Sequence, residues 1–301
     1  MAGPAGVSTG GAVRAVLHTD PGCPWAYSAM PALRVMEWRY GDGLDWRVVL
    51  VGLAEDGQRY LRSGYTPASM VAGHVEFRDR FGMPFALLAK DRVPGTARAC
   101  RAVIAARILD PGAEWRALRA LQLANFTSGA LLDDDGAIVS ALSLAPGLDA
   151  EAIVALLDDP AVDAAYQRDR AEARSAAGTA AEAQGKTATT DGPVRFTAPS
   201  IVFGAGDRTL IAGGWQPVEV YDALVANLDP GLDRRPPPDG PAPLLAHFAD
   251  GLVTQEVAAL LARGNDAPDR GAAEAALLGL VADGRAERLP LGQDALWRAR
   301  G

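Results

Sequence analysis

The stretch His18-Thr19-Asp20-Pro21-Gly22-Cys23-Pro24-Trp25-Ala26-Tyr27 limits the possible folds of this chain more than any other. An apolar run from Ala12 to Leu17 precedes it, and a helical pattern with Leu33, Met36 and Tyr40 on one side follows. The order is strand, tight turn, helix, with a cysteine at the join. Pro24 suits the first helical position, where its missing N–H costs nothing. A thiol at a helix start faces unpaired backbone N–H groups and the positive end of the helix dipole, so a lowered pKa is expected for Cys23. Asp20 can cap the turn by accepting backbone N–H bonds. Its charge would act on the thiol in the opposite sense, raising the pKa.

The segment Asp20-Pro21-Gly22-Cys23-Pro24-Trp25-Ala26 resembles the D-x-x-C-P-W-C turn of DsbA-like thioredoxin-fold proteins. That group includes disulfide oxidoreductases, kappa-class glutathione transferases and 2-hydroxychromene-2-carboxylate isomerases. Ala26 stands where the dithiol enzymes carry their second cysteine, so Cys23 has no local partner with which to close a disulfide. What remains is monothiol chemistry: attack on a disulfide, a mixed disulfide with a small thiol, or addition to an electrophile.

Beyond the first helix, Gly41-Asp42-Gly43 marks a turn, and Leu44 to Val51 is rich in β-branched and aromatic residues, which gives a parallel strand-helix-strand unit. From Thr66 to about Gly185 the pattern is helical. Val71, Val75, Phe77 and Phe81 form one apolar face, Cys100, Val103, Ile104 and Ile108 a second, and Trp115, Leu118, Leu121 and Leu123 a third. Asp149 caps a further segment, and Val162 to Arg174 continues with charges on its outer side. The resemblance implies that this block is an insertion between the halves of a small sheet and caps the Cys23 turn. The sheet resumes at Phe196 to Phe203, turns at Gly204-Ala205-Gly206-Asp207 and returns through Arg208 to Ile211. Pro199, after Ala198, is similar to the cis-proline that faces the cysteine in thioredoxin folds. Val218 to Leu228 reads as a closing helix.

The expected organisation is α/β: a thioredoxin fold with a large helical insertion over residues 12–228, the insertion spanning about 55–190. A proline-rich linker follows over 229–243, which includes Arg235-Pro236-Pro237-Pro238 and cannot continue a helix. Residues 244–301 hold three helical patterns and a hairpin, resembling a small α+β winged-helix domain. From Ala242 to Gly301 there are six arginines against eight acids, and Gly271 to Ala282 contains no basic residue. This pattern suits a protein partner or a homodimer contact and argues against DNA.

At 301 residues with a net charge of -8, the chain has ample core and no general affinity for nucleic acid. Met1 to Gly11 reads as a loose tail with no secretory signal. No run approaches the roughly 18 apolar residues that span a bilayer. Two cysteines do not make a disulfide framework, so a cytoplasmic setting is expected.

Around Cys23, the support residues expected are Asp20, Pro24, Trp25, Ala198 and Pro199, with Arg98 as a carboxylate contact for substrate. Arg92 and Arg101 share that reading, against the ordinary one of a solvated helix face. Trp25 and Tyr27 either line a groove or pack in the core. Cys100 either packs on its apolar face or serves as a distant resolving thiol. His18 is either a base or a strand-end histidine bonded to backbone. Gln184-Gly185-Lys186-Thr187 ends like a phosphate loop, but Ala180 occupies the first glycine position, which excludes it. Asp133-Asp134-Asp135-Gly136 has part of a calcium loop without the later ligands and reads as a helix cap. No metal site is expected.

The function these features imply is thiol-disulfide oxidoreductase or thiol-dependent transferase chemistry at Cys23. The small-molecule partner would be a thiol or disulfide, with glutathione or mycothiol as the low-molecular-weight thiol. Two alternatives stand beside it: a thiol-cofactor-dependent isomerase of the 2-hydroxychromene-2-carboxylate type, and a non-enzymatic redox-responsive module that binds DNA or protein.

Overall fold

The computed structural model describes residues 12–190 and 192–300, so the tail expected over Met1 to Gly11 is outside the described residues. Strand β1 (Val13–Thr19) enters the turn, helices α1 (Pro24–Ser28) and α2 (Met30–Tyr40) follow, and β2 (Leu44–Leu50) returns parallel to β1. The two helices nearly form one. Leu33 N still donates to Ala29 O at 3.1 Å, but Pro31 has no N–H to offer the turn before it, and the helix breaks there.

The helical block contains α3 (Gly57–Arg62), α4 (Pro67–Phe81), α5 (Ala97–Leu109), α6 (Ala113–Thr127), α7 (Asp135–Leu142), α8 (Ala150–Ala155), α9 (Pro160–Ala173) and α10 (Ala180–Ala183). Side-chain caps set several starts. Thr66 and Ser69 cap α4 reciprocally, while Asp134, Asp149 and Asp159 accept from the N–H groups of Ala137, Ala152 and Ala161. The Asp133–Gly136 run is thus the cap of α7.

The expected helical pattern fails between α4 and α5. Gly82 ends α4 in a left-handed conformation (φ 72°), and Pro84 and Pro94 keep the next stretch irregular. This stretch is nonetheless anchored, with Ala86 N donating to Phe126 O at 2.7 Å. Ile108, expected on the buried face of α5, is 46% exposed, whereas Cys100, Val103 and Ile104 are fully buried.

After β3 (Thr187–Ala188) and β4 (Arg195–Phe196), which pair with each other, β5 (Ser200–Ala205) runs antiparallel to β1 and β6 (Arg208–Ala212) completes the hairpin. The main sheet has the order β2-β1-β5-β6, and α11 (Val218–Leu228) packs on β5 and β6. Alternation along β1 assigns its two faces. Val13, Ala15 and Leu17 join Leu33, Met36, Phe203 and Tyr221 in one core, and Val16 joins Val49, Val51, Cys23, Ala26 and Ala198 in another.

The C-terminal part contains α12 (Pro241–His247), β7 (Leu252–Val253), α13 (Thr254–Leu261), α14 (Arg270–Ala282), β8 (Ala286–Leu291) and β9 (Asp294–Ala299), with sheet order β7-β9-β8. It packs against the rest of the chain. Val253 and Leu296 enter the same core as Leu33 and Phe203. A buried ionic cluster reinforces the joint: Arg119 pairs with Glu256 through two contacts, one at 2.8 Å, and its Nε is 3.1 Å from Asp250. Arg34 on α2 reaches Asp250 as well and pairs with Glu37 at 2.8 Å. Burial works to raise the Asp250 pKa, but Arg34 and Arg119 hold the carboxyl below its usual range.

Candidate active site

Asp20 to Cys23 form a closed turn, with Cys23 N donating to Asp20 O at 3.1 Å. The Asp20 side chain, fully buried, anchors it. Its Oδ1 accepts from Gly22 N at 2.8 Å, and its Oδ2 accepts from Leu53 N at 2.8 Å and Thr96 Oγ1 at 3.1 Å. The Cys100 thiol points at the same Oδ2, at 3.6 Å. Burial raises the Asp20 pKa against the pull of those donors. Gly22 has to be glycine here: a Cβ would come within 2.4 Å of Thr96 Cγ2.

Cys23 is 5% exposed, and its Sγ donates to Ala198 O at 3.1 Å. The Ala198–Pro199 peptide is cis. Hydrogen bonds fix that segment from behind: Ser200 Oγ donates to Thr197 O at 2.7 Å and accepts from Gly214 N at 3.1 Å, and Thr197 Oγ1 donates to Lys186 O at 3.0 Å.

The lowered thiol pKa expected from the helix start is not what results. Burial pushes the Cys23 thiol up to about 12, outweighing the Ala26 and Trp25 N–H groups that favour the thiolate. The Asp20 charge adds to the rise, and Arg195 acts in the other direction. The physical reason is scale: α1 has five residues and acts through its first N–H groups, while the sulfur has lost almost all its water.

Trp25 is 40% exposed beside the buried thiol. Its ring meets Phe77 edge-on at 5.0 Å and Phe81 at 5.6 Å, and the Arg80 guanidinium sits 5.5 Å above it. Tyr27 takes the core role: it is fully buried, stacked on Phe126 at 4.8 Å, and donates to Pro84 O at 2.9 Å. His18 is buried against Phe196 at 4.4 Å, and burial lowers its pKa to about 4, so it is neutral near pH 7. Pro24 opens α1, and Ala26 within it is 2% exposed.

The arginines go elsewhere. Arg98 is not brought to Cys23, because Asp135 and Asp158 take its guanidinium. Arg92 pairs with Asp133 at 2.5 Å, and Arg101 with Glu55 and Asp163 at 2.9 Å each. Cys100 is fully buried, and burial together with Asp20 raises its pKa well above the ordinary thiol value.

Three groups near the thiol carry no sequence mark: Thr96 beneath the turn, Arg195, and Tyr60, whose phenol is raised by burial and by the charges of Asp20 and Cys23. The only local signal was Pro94-Gly95-Thr96, a helix-start pattern placed against the turn. Among the described residues, no group of three or more His, Cys, Asp or Glu is arranged to hold a metal, and no helix is long and apolar enough to cross a membrane.

A parallel strand pair, a helix-start cysteine and a cis-proline facing it across the sheet define a thioredoxin-fold thiol protein. A family model described as DSBA-like thioredoxin domain matches residues 16–179. The chain therefore belongs to the DSBA-like thioredoxin-domain family. Among solved structures, it is similar to a putative protein disulfide isomerase from Nitrosomonas europaea, with 15% identity, a TM-score of 0.54, and coverage of 72% of this chain and 97% of that one. It is also similar to a probable DsbA oxidoreductase from Streptomyces coelicolor, with 22% identity, a TM-score of 0.54, and coverage of 73% and 91%. At these identities the likeness is one of fold. No curated protein sequence matches this one.

Proposed function

We propose that this protein performs thiol-disulfide exchange with one thiol, Cys23, and returns to its starting state with a small external thiol. The observation that carries the reading is the contact between Cys23 Sγ and Ala198 O at 3.1 Å, beside cis-Pro199. In the resting state the thiol is protonated and its hydrogen occupies that carbonyl. When Cys23 loses its proton to solvent, the Trp25 and Ala26 N–H groups favour the thiolate, and Ala198 O is freed to accept an N–H from an extended partner.

The Cys23 thiolate attacks one sulfur of a disulfide, forms a mixed disulfide and expels the other sulfur as a thiolate, which takes up a proton. A second, low-molecular-weight thiol of the glutathione or mycothiol class then attacks as its thiolate. It joins the bound half in a new disulfide and restores Cys23. Ala26 in place of a second cysteine supports this two-partner scheme, as does the engagement of Cys100 with Asp20. The two unpaired cysteines suit a reducing compartment such as the cytoplasm. The isomerase reading lacks its expected arginines, since Arg92 and Arg98 are paired with aspartates. In the C-terminal part, which we read as a winged-helix-like docking module, Arg270 of α14 is engaged by Gly82 O and Asp294.

The test is intact-mass analysis of the reduced chain after exposure to 2-hydroxyethyl disulfide. One adduct per chain is expected, present in Cys100→Ser, absent in Cys23→Ser, and removed by added glutathione. Failure to form an adduct at any pH where the chain stays folded overturns the proposal.

A further inference from the structure

The joint between the helical block and the C-terminal hairpin is not closed. Beside the buried Arg119 cluster, a cavity of about 310 Å³ opens between α6, α7 and the β8–β9 turn, walled by Leu123, Ala141, Leu144, Leu291 and Leu296 among others. The cleft is open to solvent on one side and its lining is mostly apolar, so it presents an accessible surface that an apolar ligand would cover. An apolar cavity of about 150 Å³ accommodates benzene, so this one has room for about two fused rings or a medium acyl chain.

Charge identifies the other half of that occupant. The lining holds three guanidiniums, Arg116, Arg119 and Arg298, and one carboxylate, Asp250. Asp250 is consumed by Arg34 and Arg119, and Arg116 has Asp110 at 2.8 Å. Arg298 donates to Leu144 O at 2.7 Å, and among the described residues no carboxylate pairs with it. A guanidinium without a carboxylate partner, at the edge of an apolar cavity, selects an anion even in a chain of net charge -8. Leu144, 68% exposed, leaves an entrance beside it.

We infer that this cavity binds a small amphipathic carboxylate, its apolar body between α6 and α7 and its carboxylate on Arg298. No residue of the Cys23 turn or of the 197–200 segment lines it, so this site and the thiol chemistry stand or fall separately.

The probe is 2-naphthoate, titrated calorimetrically into the full chain beside its uncharged counterpart 2-naphthalenemethanol. One site per chain is expected, with the carboxylate favoured by about tenfold, the scale of a charge-assisted hydrogen bond. Arg298→Gln should remove that preference while leaving the neutral probe bound. Ala137→Trp, which fills the cavity from α7, should abolish both. Both variants should keep the wild-type circular dichroism spectrum and the Cys23 adduct, which shows that they are folded. Equal binding of the two probes, a preference that survives Arg298→Gln, or binding that survives Ala137→Trp overturns the inference. So does concentration-dependent self-association with no probe binding, which would assign the surface to a second copy of the chain.

Discussion

Cys23 and Ala198 stand 175 residues apart in sequence, yet the thiol of one donates to the carbonyl of the other at 3.1 Å. The sulfur and the backbone edge that would hold its partner therefore share one hydrogen. In the proposed exchange, protonation state and partner docking would be coupled through that single contact.

Alkylation of Cys23 in the resting protein should be slow at pH 8 and should rise steeply only as pH climbs from about 9 towards 12, because burial keeps the thiol protonated. Since the Asp20 charge raises that pKa, Asp20→Asn should move the profile to lower pH, by up to about one unit. Rates of iodoacetamide labelling in a Cys100→Ser background would measure both. A profile unchanged by Asp20→Asn would show that the carboxyl exerts no charge on the sulfur.

Ala26→Cys should convert the turn to a dithiol. Ala26 is 2% exposed in a small-residue core, so the added sulfur should cost about 1–3 kcal/mol. The oxidised variant should then carry a local disulfide with Cys23 and resolve mixed disulfides without external thiol, visible as loss of the 2-hydroxyethyl adduct over time.

Gly22→Ala forces a Cβ to 2.4 Å from Thr96 Cγ2. A loss of about 1–3 kcal/mol is expected in chemical denaturation. Thr96→Ser, which removes that methyl group and keeps the hydroxyl on Asp20, should recover much of it in the double variant.

His18 gives a pH dependence of known sign. The unfolded chain takes up a proton near pH 6.5 that the folded chain refuses until about 4, so stability should fall as pH drops through that window. The difference amounts to about 3 kcal/mol. His18→Leu should flatten the denaturation midpoint against pH by that amount relative to the parent; parallel curves would show that the histidine is protonated in place.

Breaking the buried cluster from one side should cost most with Arg119→Met, about 3–5 kcal/mol, since the Glu256 carboxylate, 0% exposed, loses its guanidinium; Glu256→Met should cost less, because Arg119 keeps Asp250. Arg119→Met combined with Glu256→Met should cost less than Arg119→Met alone, since no carboxylate is then left without its partner. Calorimetric unfolding of the three variants supplies the cycle.

The fold was legible largely because local chemistry repeats the global answer. Pro24 at a helix start, the glycine turns at 41–43 and 204–206, and the apolar alternation of β1 each name an element without help from distant residues. The helical reading of Thr66 to about Gly185 passes over Pro84 and Pro94, which forbid the helix across 82–96. The site was half legible. Cys23, Asp20 and Pro199 belong to recognisable turns, whereas Thr96 reaches Asp20 across 76 residues by a single hydroxyl, a contact that leaves no period to detect. Arg98 was misassigned because sequence gives a cation's position and not the acids that claim it, here Asp135 and Asp158. The thiol pKa failed for a related reason: the helix start is written locally, but the depth at which the sulfur sits is set by the whole core.

The ionic joint between α2, α6 and α13 also bears on where this chain can be cut. The proline-rich stretch from Asp229 to Pro241 is the clearest seam in the sequence. A protein ending there would retain Arg34 and Arg119 and lose Asp250 and Glu256, leaving Arg34 with Glu37 and Arg119 with none of the carboxylates it now contacts. Removing the last sixty or so residues therefore strips both arginines of carboxylates that only this segment supplies, and uncovers the two guanidiniums. The C-terminal part and those two arginines thus form one electrostatic unit.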